Sequence, residues 1–74
     1  MVYDYSALLG RIVEKFGTRK RFVQALGMTP ATFYSRISSD TYWDQAEIEK
    51  SCSLLGIAKE EIQRFYFTKK VHKM

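Results

Sequence analysis

Three cations in succession, Arg19, Lys20 and Arg21, follow Thr18 in a chain of 74 residues. Threonine is a good N-cap, so the three fall in the first turn of a helix, at the positive end of its dipole. Cations there are misplaced by about 0.3–1 kcal/mol each at low salt. Stability alone asks for none of them. A phosphate accounts for all three, because a helix N-terminus with free N–H groups already attracts an anion. The Thr18 hydroxyl adds one more donor. The competing explanation, a solvated basic patch, leaves the unfavourable placement unexplained.

A second set of residues starts at Thr29. In PATFYSRI, Phe33 and Ile37 stand four apart and must face a core. Ala31 and Ser35 lie opposite, with Thr32, Tyr34 and Arg36 on the shoulders. A surface that is small at its centre and ringed by hydroxyls suits close approach to a major groove. Pro30, Ala31 and the Thr32 methyl can meet thymine methyls, Ser35 and Thr32 can bond base edges, and Arg36 can reach guanine or phosphate. The bland alternative is an ordinary exposed helix.

Other chemistry finds little support. His72 is the lone histidine and is far in sequence from Cys52, the lone cysteine, so neither a metal site nor a catalytic pair is expected. Cys52 falls on the apolar side of its helix with Ile48 and Leu55, a core position. Glu47, Glu49, Glu60 and Glu61 are explained by capping and solvation. No Gly-rich phosphate loop or metal-spaced cluster occurs. An enzyme, a cofactor and a small-molecule substrate are therefore not expected.

The elements that must position these residues all read as helix. Tyr5, Leu8, Leu9, Ile12, Val13 and Phe16 form one apolar stripe, capped by Asp4 or Ser6 and ended by Gly17. Gly10, inside that helix, costs roughly 1 kcal/mol relative to Ala and suggests close approach of another helix. Phe22, Val23 and Leu26 define the second helix, which stops at Gly27. Thr29 caps the third, Pro30 fits its first position, and Met28 with Phe33 has the spacing of a hydrophobic staple. After the polar stretch 38–42, Asp44 and Glu47 make a capping-box pattern with Trp43 and Ile48 as its staple. That helix ends at Gly56, with Ile57 placed to touch Cys52. A last helix is expected near Ala58, with Ile57 and Ile62 again at staple spacing.

Length limits the chain to one domain, near the lower bound for a core without disulfides or metal. The reading is a domain over 1–67 and a basic tail over 68–74. No stretch is apolar enough to span a membrane, and no secretion signal is seen at the N-terminus. A single cysteine fits a reducing compartment, so a cytoplasmic location is expected. The net charge of +4 is unevenly spread. Basic residues dominate up to Ser39, acids dominate residues 40–63, and the tail is basic again. Such opposed faces orient a protein in a polyanion's field.

The segments YDYSALLGRIVEKFGT, FVQALGMTPATFYSRI, LLGIAKEEI and FYF together resemble the lambda-repressor/Cro-type helix-turn-helix proteins. The likeness is to short, single-domain members carried by phages and integrated elements of Gram-positive bacteria. It implies an all-α, compact five-helix lambda-repressor-like DNA-binding domain, with the helix-turn-helix at about 18–38. It also implies sequence-specific recognition of a double-stranded DNA operator, as a homodimer at least on DNA, to regulate transcription. Carried over to this chain, phosphate contacts fall on Thr18 and Arg19, and the loop at Ser38 and Ser39 touches the backbone again. Base contacts fall on Thr29, Pro30, Ala31 and Ser35, with Tyr34 nearby. Three residues depart from the family's pattern. Arg19 stands where many relatives have Gln. Val23 stands where Ala is usual, which would set the two helices slightly apart. Pro30 and Ala31 replace longer polar readers and shift readout toward methyl contact and DNA shape. The alternative is a protein-interaction adaptor or antirepressor on the same fold, anchored by exposed Tyr3, Tyr34, Tyr42 and Trp43. The candidate dimer surface is residues 65–71.

Overall fold

The computed structural model describes residues 2–70 and contains five α-helices. They are α1 (Ser6–Phe16), α2 (Arg19–Leu26), α3 (Pro30–Ile37), α4 (Gln45–Leu55) and α5 (Ile62–Tyr66). A 3-10 turn, Lys59–Glu61, leads into α5, so the helix expected from Ala58 begins as a tighter coil. Helix α1 packs against α2, α4 and α5, and α2 packs against α4 and α3. Helix α3 is the least embedded and keeps one side outward.

The boundaries follow from capping. Thr18 Oγ1 accepts the Arg21 N–H at 3.2 Å, and Thr29 Oγ1 accepts that of Thr32 at 3.2 Å, with Pro30 next in the chain. Asp44 and Glu47 close the expected capping box: Asp44 Oδ1 accepts the Glu47 N–H at 2.7 Å, and Glu47 Oε1 accepts the Asp44 N–H at 3.0 Å. Gly27 and Gly56 take left-handed conformations, and the N–H groups of Met28 and Ile57 bond back to Val23 and Cys52 as a Schellman end requires. Asp4, rather than Ser6, serves the start of α1, accepting the Ser6 N–H at 2.9 Å.

Leu8, Ile12, Phe22, Phe33, Leu55, Phe65 and Tyr66 are buried at the centre. Phe16, Phe22, Phe33, Trp43 and Tyr66 form a continuous series of edge-on ring contacts linking α1 to α5. Each such pair adds about 0.5–1.5 kcal/mol beyond the area it buries. Beneath them the Ser51 hydroxyl meets the Tyr66 hydroxyl and also donates to the Ile48 carbonyl at 3.0 Å. Cys52 is buried beside this pair, and burial pushes its thiol up.

Several expectations are corrected. Val13 is 51 % exposed, so the stripe on α1 is narrower than its spacing suggests. Gly10 faces open space, with nothing within 4 Å of a Cβ built on it, and no helix approaches there. Trp43 is buried against Tyr5, Phe33 and Tyr66 and is no surface anchor. Phe65 and Tyr66 are interior too, which removes them from a dimer surface and leaves Phe67 exposed. Thr68, Lys69 and Lys70 are exposed as well, while Val71, with His72 and Lys73 of the tail, lies outside the described residues.

The described part of the basic tail is tied to the domain. Tyr3 and Lys69 form an antiparallel bridge, with the Asp4 N–H donating to the Thr68 carbonyl at 2.7 Å and that of Lys70 to Val2 at 3.0 Å. The Tyr3 N–H points the other way, onto Ser39 Oγ at 3.1 Å. Residues 2–4, residues 68–70 and the loop after α3 therefore meet at one place.

Candidate nucleic-acid interface

Three features meet on one side of the molecule: the N-terminus of α2, the turn at 27–29, and the outward side of α3. Arg19, Lys20 and Arg21 are all exposed, and among the described residues none of them forms an ion pair. The ion pairs present are Arg11–Glu14, Arg36–Glu47 and Arg64–Glu61. The arrangement expected from the sequence is present: a threonine-capped helix start carrying three uncompensated cations. Such an end binds anionic oxygen by charge and by its free N–H groups.

Along α3, Pro30, Ala31 and Tyr34 are exposed, Thr32 and Ser35 are half-buried, and Phe33 is buried. The outward face thus centres on Pro30, Ala31 and Tyr34, with Thr32 and Ser35 at its margins rather than Ser35 at its middle. Thr29, its hydroxyl already capping the helix, also donates to Thr32 Oγ1 at 2.9 Å. That leaves the Thr32 hydroxyl proton available to an acceptor. Tyr34, 60 % exposed, projects beside the cations of α2.

Two expected contact residues have partners within the fold, and for one of them, Arg36, the donors are already used. Arg36 donates from Nε to Glu47 Oε1 at 2.8 Å and from Nη2 to Oε2 at 3.0 Å, and its Nη1 donates to Thr41 Oγ1 at 2.6 Å. The guanidinium hydrogen bond and charge hold the Glu47 carboxyl below the usual carboxylate range, and the same bond pushes the Arg36 group up. Arg36 is therefore not presented to a base edge, because its fork-shaped donor set is already matched by a carboxylate. Ser39 adopts a left-handed backbone, φ 66°, and its hydroxyl accepts the Tyr3 N–H. That bond ties the hydroxyl to the N-terminal segment through a lone pair and does not use its proton. Ser38 is exposed, with its hydroxyl donating to the Ser35 carbonyl at 3.2 Å.

The sequence reading missed one feature. Between α2 and α3 lies a cleft of about 390 Å³, floored by Val23, Met28, Pro30 and Phe33 and rimmed by Arg19, Lys20, Gln24 and Tyr34. Val23, expected to hold the helices apart, lines it. Gln24 carries no signal in the sequence, because nothing in its spacing marks it. Only the crossing of the two helices brings it beside Tyr34.

The fold and this face define the class as a small five-helix domain with one cationic helix start beside one outward helix. The chain belongs to the family described as protein of unknown function DUF739, whose model matches residues 1–69. Among solved structures it is similar to the modulator of repression (MOR) of the temperate bacteriophage TP901-1 from Lactococcus lactis. The two share 38 % identity over 97 % of each chain, with a TM-score of 0.80. No curated protein matches it.

Proposed function

We propose that this protein is a regulator of phage repression that binds double-stranded DNA, gripping the phosphate backbone with the start of α2 and laying α3 in the major groove. The observation that carries the reading is the run Arg19, Lys20 and Arg21, exposed and unpaired at a capped helix N-terminus. Its kinship to a protein named as a modulator of repression supports the regulatory setting. With Arg36 engaged by Glu47, the groove-facing set is Thr29, Pro30, Ala31, Thr32, Tyr34 and Ser35. These side chains read methyl groups and single acceptors, so operator choice rests on thymine methyls and duplex shape more than on bidentate guanine contacts. A pair of copies on a two-fold operator supplies the phosphate contacts one small domain lacks. The protein has no catalytic role in this reading. Titrating fragments of the host element's own DNA at several salt concentrations tests it. A selected fragment should bind with a steep salt dependence, and binding to none of them at low salt contradicts it.

A second reading is favoured by the cleft between α2 and α3. An apolar floor with an aromatic rim also suits a protein partner held mainly by apolar contact, which would make the chain an adaptor or antirepressor. Salt separates the two, since a protein interface depends on ionic strength far less than phosphate neutralisation does.

A further inference from the structure

Arg36 is the sole cation of α3, and its partner is the better anchored of the two. Glu47 Oε1, besides meeting Arg36, accepts the Asp44 N–H at 3.0 Å as half of the capping box of α4. The carboxylate is thus fixed by backbone. Arg36 is held by side chains alone: two bonds to Glu47 and one to Thr41. The pair is shielded, with the two side chains 17 % and 20 % exposed, yet Thr41 is an exposed residue of the loop after α3. One edge of the guanidinium therefore already reaches the surface next to the outward helix. Freed from Glu47, a side chain of that length swings into solvent on the side where α3 would meet a duplex.

We propose that Glu47 is a specificity determinant of this face: it withholds Arg36 from the phosphate backbone, so that α3 meets DNA with its short side chains alone. The inference rests on the duplex-binding reading above. An arginine on phosphate adds affinity that is the same for every sequence, whereas contacts to base edges discriminate. Withholding it lowers binding to arbitrary DNA and leaves the selective part untouched. Arg36 itself, in this account, touches no DNA in the wild-type chain.

Glu47→Gln tests the device. Glutamine still accepts the Asp44 N–H, so the capping box survives while the charge that holds Arg36 is lost. The variant should bind mixed-sequence duplexes several-fold more tightly at low salt. Its log–log salt slope should steepen by about 0.9, the value for one additional phosphate. The double variant Arg36→Met/Glu47→Gln removes both charges together and should return to the wild-type slope. An unchanged slope in a folded Glu47→Gln protein overturns the proposal. So does a double variant whose slope is shallower than wild type, which would mean Arg36 contacts phosphate already. Should Glu47→Gln not fold, the double variant decides by the same criterion. If the wild-type chain binds no duplex, the DNA reading itself falls and this inference with it. Wild-type binding with an unchanged Glu47→Gln slope overturns this inference alone.

Discussion

Side chains of the same type have different fates here according to what faces them. Among the described residues Arg19 and Arg21 meet no carboxylate, whereas Arg36 meets Glu47 in two bonds and Thr41 in a third. Sequence shows the three cations at the start of α2, because an N-cap fixes where a helix begins and the charge run follows it. It cannot show that Arg36 is engaged, since its partner lies on the next helix and only packing brings the two together. Ser39 escapes a sequence reading for the same reason, as its acceptor role depends on the N-terminal segment passing over it. Arg21→Ala should weaken duplex binding for all sequences alike and flatten the salt slope by about 0.9. A change of preferred bases at constant slope would contradict the phosphate role. In the core, Tyr66 is 1 % exposed and its hydroxyl meets Ser51. Tyr66→Phe should lower stability by about 1 kcal/mol, and thermal unfolding with an unchanged midpoint would show that bond to be without net value.

Helix ends were the most legible part of the fold. Thr18, Thr29, Asp44, Gly27 and Gly56 each stand where the structure starts or stops a helix, because caps act over a few neighbouring residues and leave their mark in local sequence. Faces were harder. Periodicity points Val13 into the core and aromatic type offers Trp43 as a surface anchor, but burial is decided by which neighbours arrive, and it is the reverse for both. Gly10 suggested a close helix crossing and has open space instead. Gly10→Ala should therefore stabilise the domain by about 0.5–1 kcal/mol, read as a raised melting temperature. A fall would mean that a neighbour does come close. At the other end, Ala58 precedes the 3-10 turn and offers no side-chain acceptor, while Glu61 Oε1 accepts the Ala58 N–H at 3.3 Å. Ala58→Ser completes the reciprocal pair and should add about 0.5–1 kcal/mol, also checked by thermal unfolding.

For the molecule as a whole, the opposed charges of the sequence have different surroundings in the fold. The cations of α2 stay free beside α3, and the acids that follow are partly drawn into structure, Glu47 with Arg36 and Glu61 with Arg64. The bridge between Tyr3 and Lys69 lies against the loop behind α3, a closure no local pattern announces because its partners are far apart in sequence. With a longest extent of 38 Å, one copy is about as long as one turn of B-DNA. A single domain of that size reaches few phosphates, which is why the proposed operator reading pairs two copies. The most direct test of the central claim is the affinity for double-stranded DNA as a function of salt. Three phosphates neutralised by each copy at the start of α2 should make log K fall with log salt at a slope of about −2.7 per copy. A slope near zero, or no duplex bound at low ionic strength, would contradict it.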